Sequence, residues 1–181
     1  MDVGKIIAAV RSEAEFKAAI ESGVAVVFDL QPDIFTLKDR VCLAHQKNKK
    51  YLLHIDLANG IGKDEAGLQF VKQSGADGVI STRVSMIKKA RELKLFTVQR
   101  FFIVDSHSVE TTVEAVTTAK PDMIEIMPGL LPKVIVSLVQ KIEIPLIAGG
   151  LIESKKEAEA ILGYGATAIS AGTQKLWEEN L

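Results

Sequence analysis

The chain contains one cysteine, Cys42, in 181 residues. An intramolecular disulfide and a cysteine-rich metal site are therefore excluded. Cys42 lies in "LKDRVCLAHQK", a helical pattern, and reads as a buried, inert thiol. Histidine is also scarce: His45, His54 and His107 are too few for a histidine-rich centre. No metal and no cofactor are expected, although Asp29, Asp56, Asp105 and Glu125 would suit a hard cation if the fold gathered them. An excess of either charge is missing as well. The formal net charge is −1, so no overall field draws the chain to nucleic acid or a membrane. Long apolar runs are absent. The N-terminal "MDVGKIIAAV" has too few consecutive apolar residues for a signal-peptide core, and no stretch approaches the roughly 20 residues that span a bilayer. A soluble, cytoplasmic protein with no membrane partner is the expectation. Linkers and low-complexity segments are lacking, so residues 1–181 read as one domain.

What is present is an alternation. Short apolar and β-branched runs occur at 6–9, 24–28, 51–56, 78–81, 96–101, 123–127, 145–148 and 168–171. Most are continuous rather than alternating, as strands covered on both faces require. Helical patterns fill the gaps. Ser12 with Glu15 and Ser154 with Glu157 form capping boxes, with Gly23 and Gly163 as stops. Thr82 or Ser85 can cap a helix containing Met86, Ile87 and Ala90, and Pro132 suits a first helical turn. Strand followed by helix, at intervals of 18 to 27 residues, predicts an α/β fold. The first choice is a compact (β/α)8 TIM-type barrel, with one unit irregular or missing; an open doubly wound sheet is the alternative. "GADGVIS" (75–81) resembles "GATAIS" (165–170), as a half-barrel duplication would give.

In such barrels the functional face lies at the carboxyl ends of the strands. The polar residues there are Asp29, His54 and Asp56, then Ser81, Thr82, Arg83, Gln99, Arg100 and Glu125, and lastly Gly149, Gly150, Ser170, Gly172 and Thr173. Gly149-Gly150 and "SAGT" occupy adjacent loops, whose backbone N–H groups can converge on a phosphate; a tight turn alone would also explain the glycines. His54 and Asp56, two apart, share one face if both lie in a strand. Glu125, flanked by Ile124 and Ile126, faces the barrel interior and needs a partner, Arg100 or Arg83. Basic residues concentrate at 83–100 and in "HQKNKK" (45–50), both read as solvated surface without the interleaved aromatics of a stacking platform. Trp177 closes the barrel, joins a homo-oligomer contact, or stacks on a ligand; the sequence leaves these open.

Several segments together carry a family resemblance. "LLHIDLANGI" (52–61), "GVISTR" (78–83), "VQRFF" (98–102), "IEIMPG" (124–129), "LIAGGLI" (146–152) and "KLW" (175–177) resemble the glycerol-3-phosphate responsive antiterminators, regulators of glycerol uptake operons. The likeness runs from about Ile6 to Trp177. It implies a barrel that binds glycerol 3-phosphate as an effector and engages leader mRNA to prevent premature termination, without catalysis. It also implies Asp29, His54, Asp56, Arg83, Arg100, Glu125, Gly149 and Gly150 as motif residues. A triol phosphate needs a phosphate cradle, which Gly149, Gly150, Gly172 and Thr173 supply, and hydroxyl partners, which Asp56, Glu125 and Arg100 supply. The competing reading is an enzyme acting on a small phosphorylated polyol or sugar, with Asp56, His54 or Glu125 as its acid–base group. The sixth strand carries no lysine for a Schiff base. A third reading is a barrel with neither activity.

Overall fold

Eight parallel strands close into a barrel in strict chain order in the computed structural model, which describes all 181 residues. They are β1 (Ile6–Val10), β2 (Val26–Asp29), β3 (Lys50–His54), β4 (Gly78–Ser81), β5 (Phe96–Phe102), β6 (Met123–Met127), β7 (Leu146–Gly149) and β8 (Ala168–Ala171). Pairing of β1 with β8 removes both sheet edges, so the open-sheet alternative is set aside. Seven helices surround it: α1 (Glu13–Glu21), α2 (Leu37–Gln46), α3 (Glu65–Gln73), α4 (Val84–Glu92), α5 (Ser106–Ala119), α6 (Pro132–Lys141) and α7 (Lys155–Gly163). The irregular unit is the eighth. A short 3-10 turn, Gln174–Glu178, stands where a helix would follow β8, and buried Trp177 fills the gap there, donating from Nε1 to the Ala171 carbonyl at 2.8 Å. No helix is long and apolar enough to cross a membrane.

Two faces of every strand are buried, but against different things. Ile7, Phe28, Leu52, Ile80, Val98, Met123 and Ile147 fill the barrel interior. Their chain neighbours, such as Ala8, Val27, Leu53, Val79 and Ile124, pack outward against the helices. The period of two thus decides which polar side chain enters the barrel. Glu125 follows Met123 inward and Arg100 follows Val98, whereas Asp29, next to inward Phe28, points to the helix layer.

The helix ends follow local chemistry with two exceptions, and the burial of two side chains differs from expectation. Ser154 and Glu157 cap α7 reciprocally, Ser12 accepts from Glu15 N–H at 3.2 Å, and Pro132 opens α6. Gly163, however, is the last residue of α7, and the left-handed turn belongs to Gly165, with φ of 104°. Neither Thr82 nor Ser85 caps α4; Arg83 holds the N-cap position without a side-chain cap bond. Cys42 is exposed, because α2 buries Leu37, Val41 and Ala44 and turns the residue after Val41 outward. Lys49 is not solvated surface. It is buried, and its Nζ donates to the Ser22 and Val24 carbonyls at 2.6 and 2.7 Å, closing the turn between α1 and β2.

The proposed repeat is real at the helix exits only. Gly75 and Gly165 both have positive φ. Beyond them the strands diverge, since Ser81 bonds outward to Asp56 while Ser170 bonds inward to Glu125.

Candidate functional site

Gly149 ends β7 against a pair of buried polar groups. Ser170 Oγ donates to Glu125 Oε1 at 2.5 Å, and Arg100 Nε donates to Glu125 Oε2 at 2.6 Å. Glu125 is 0% exposed and Arg100 4%. The interior carboxylate therefore has its partner from β5, as register dictates: Arg100 lies directly opposite Glu125 in the sheet. A Cβ on Gly149 would collide with Ser170 Oγ and sit 2.7 Å from Glu125 Oε1. Gly149 is thus needed for space. Gly150 is needed for conformation, with φ of 77°. Leu151 follows with φ of 62°, a left-handed leucine that is 68% exposed.

Above this cluster, a cavity of about 460 Å³ opens among the segments after β1, β2, β5, β6, β7 and β8. Gly150, Ser170, Gly172 and Thr173 line it, four of the residues selected from sequence. The backbone N–H groups of Gly150, Leu151, Gly172 and Thr173 donate to no acceptor within the protein. Arg11, from the loop after β1, also lines the cavity; a Cβ on Gly172 would lie 3.9 Å from its Nη1. An exposed arginine without a carboxylate partner beside free amides is a combination that suits an anion. Glu153 is the one acidic liner. Arg11 is absent from the sequence selection, yet the strand-end rule that picks Asp29 applies to it equally. The apolar wall of Phe102, Ile103, Val104 and Leu151 carries no sequence signal, because loop hydrophobes look like core until a fold exposes them.

Asp56 is not in β3. The strand ends at His54, and Ile55–Leu57 form a 3-10 turn, which breaks the shared face expected of His54 and Asp56. Asp56 instead accepts from Ser81 Oγ at 2.9 Å, Thr82 N–H at 2.7 Å, Thr82 Oγ1 at 3.0 Å and Arg83 Nε at 3.0 Å. Burial would raise its carboxyl, but these donors from Thr82, Ser81 and Arg83 outweigh burial and hold it below the usual range. "HIDL" and "ISTR" are therefore two halves of one hydrogen-bonded unit that fixes the start of α4. Asp56 and Arg83 satisfy each other, outside the cavity lining. Arg83 takes no part in holding Glu125.

His54 is 3% exposed, and its Nδ1 has no partner. Burial first, then the Arg100 charge, depress its pKa to about 4 against the pull of Asp56. The imidazole is neutral at neutral pH.

Asp29 lies behind the sheet. It is 0% exposed, accepting from Tyr51 Oη at 2.5 Å and Arg40 Nη1 at 2.6 Å, with Arg40 seated 5.0 Å over the Phe16 ring. Burial, then the Asp29 carboxylate, hold the Tyr51 phenol well above its usual value, so it remains a donor. This is a pin between β2, β3 and α2, remote from the mouth. The four carboxylates Asp29, Asp56, Asp105 and Glu125 are not gathered, and no group of three or more His, Cys, Asp or Glu could hold a metal ion. The basic residues at 83–100 are likewise dispersed: Arg100 inside the barrel, Arg83 on Asp56, Lys89 beside Glu65 on the helix surface.

Comparisons with known proteins agree on one family. The chain is 38% identical over 173 residues to the uncharacterized protein YgcP of Escherichia coli (strain K12), covering 95% of this chain and 91% of that one. It superposes on the crystal structure of a glycerol uptake operon antiterminator regulatory protein from Listeria monocytogenes with a TM-score of 0.93 at 33% identity, covering 99% and 98% of the two chains. A glycerol uptake operon antiterminator-related protein from Thermotoga maritima gives a TM-score of 0.87 at 33% identity, covering 97% and 99%. The family model for the glycerol-3-phosphate responsive antiterminators matches residues 6–177, and with the barrel, the mouth cavity and the paired motifs in place, the chain belongs to that family.

Proposed function

We propose that the protein is a non-catalytic sensor of glycerol 3-phosphate that binds the leader mRNA of a glycerol uptake operon when the effector is bound. The observation that carries the ligand half is that Arg11 lines one cavity together with Gly150, Gly172 and Thr173, whose N–H groups have no acceptor in the protein. The phosphate sits there, and the glycerol end lies over Ser170, whose hydroxyl is oriented by Glu125. Family membership carries the mRNA half. The protein works as a homo-oligomer or a monomer under the same scheme, since each chain holds a full cavity.

An enzymatic reading finds poor support in the same groups. Asp56 is saturated by four donors, and neither it nor His54 nor Glu125 lines the cavity. A general base needs a free lone pair within reach of substrate. Effector action is then a shift between conformations, no larger than the difference in affinity for them.

The test has two arms. Saturating glycerol 3-phosphate, at about 100 times its Kd, raises unfolding stability by about 2.7 kcal/mol, read as a higher melting temperature. A gel shift at low salt against the leader of the neighbouring operon shows a retarded band with effector and a weaker one without. Unchanged melting with no calorimetric heat removes the ligand half. No retarded band with effector present removes the RNA half.

A further inference from the structure

The mouth cavity is larger and more apolar than a small triol phosphate requires. Its volume of about 460 Å³ is in the range of about 300–1,000 Å³ that encloses drug-sized ligands, whereas glycerol 3-phosphate has only about ten non-hydrogen atoms. Its two sides differ. Arg11, Ser170, Gly172 and Thr173 make one side polar, while Phe102, Ile103, Val104, Met127 and Pro128 give the other no side-chain hydrogen-bonding group. Phe102, Val104 and Leu151 are 59%, 84% and 68% exposed, so this wall is open apolar surface rather than core.

The apolar side does not stop at the loop. Ile103 and Val104 also border a second cavity, of about 450 Å³, between α5 and α6. Val109, Leu131 and Val134 supply an apolar strip within it, flanked by the charges of Asp105, Glu110, Lys133 and Lys141. Two cavities thus share Ile103 and Val104, and an apolar strip runs from the mouth into the second between charged and polar flanks. A ligand with an anionic head and a flexible apolar chain matches that sequence of surfaces, and a polyol matches only its first part.

We propose that the site accepts glycerol phosphate esters bearing a short apolar chain. The phosphate lies at Arg11, the chain passes along Phe102 and Val104, and its end rests on Val109 and Val134 between α5 and α6. The occupant is a dissolved ester rather than a bilayer. This inference rests on the placement of the phosphate under the proposed function.

The experiment is calorimetric titration of the intact protein with glycerol 3-phosphate, its 1-butanoyl ester and its 1-octanoyl ester, with octanoate as a chain-only control. Each buried methylene tightens binding by two- to about fourfold, so the octanoyl ester binds at least about tenfold tighter than the butanoyl ester. Val109→Glu, with Val134→Glu as a second variant, removes the gain from the chain and leaves glycerol 3-phosphate binding unchanged. Affinity that is flat or falls with chain length, while glycerol 3-phosphate still binds, overturns the inference and leaves the proposed function standing. Absence of binding by every phosphate ester overturns both. Octanoate binding as tightly as its ester overturns the inference, because the groove then ignores the phosphate.

Discussion

Ser170 Oγ and Glu125 Oε1 lie 2.5 Å apart across the top of the barrel, joining β8 to β6 over the glycine that ends β7. The hydroxyl occupies the space a side chain on Gly149 would need. The floor of the cavity is therefore a three-strand fit in which a small residue, a hydroxyl and a carboxylate are mutually required. Gly149→Ala is expected to cost about 1–3 kcal/mol in denaturant unfolding, since overpacked methyl groups displace their neighbours. In a Ser170→Ala background the same substitution costs less, by about 0.5 kcal/mol or more, because the oxygen it meets is gone. Equal costs in both backgrounds would show that the clash lies elsewhere.

Asp29 supports the fold and not the ligand. Tyr51→Phe removes one of its hydrogen bonds and is expected to lower stability by about 1–2 kcal/mol. Affinity for glycerol 3-phosphate stays the same in calorimetric titration. An affinity change above about threefold would return Asp29 to the site.

His54 makes stability fall with acid. Its folded pKa of about 4 lies below the unfolded value of about 6.5, so the unfolded chain binds more protons between these limits. Stability is complete above about pH 6.5 and declines as pH falls toward 4, by an amount on the order of 3 kcal/mol. Asp56, held low by its donors, adds a further loss only at still lower pH. A His54→Gln variant should show a flatter profile over the upper window in chemical denaturation at stepped pH. An unchanged slope would place the acid sensitivity in other groups.

Leu151 stores strain at the cavity lip. A left-handed leucine costs about 1–2 kcal/mol relative to a residue without Cβ, part of which returns as glycine's chain entropy. Leu151→Gly is expected to keep or raise the melting temperature, by up to about 1 kcal/mol of stability. A large drop in melting temperature would mean that the exposed side chain contributes packing.

Much of the architecture was legible from the run lengths and spacing of apolar residues. All eight runs contain strands, and the inward turn of Glu125 follows from alternation alone; the register of β5 against β6 then selects Arg100 over Arg83 as its partner. The local breaks were not legible. Nothing in "HIDL" announces that the chain leaves the strand after His54, so alternation turns Asp56 toward the ligand, whereas the 3-10 turn sends it to "ISTR". Asp29 is the converse case: the strand runs one residue past 28 and takes Asp29 in as an outward side chain beside inward Phe28. The cavity's apolar wall depends on the segments after β5, β6 and β7 meeting in space, which no single one encodes.

The most direct measurement is a calorimetric titration of glycerol 3-phosphate into the wild-type protein and into Arg11→Gln. Arg11 is exposed, so the variant retains its melting temperature. The predicted result is saturable binding near one molecule per chain, weakened at least about tenfold by the substitution, as loss of a charge-assisted contact to phosphate requires. Equal affinity in the two proteins, or no binding by a folded wild type, would contradict the account.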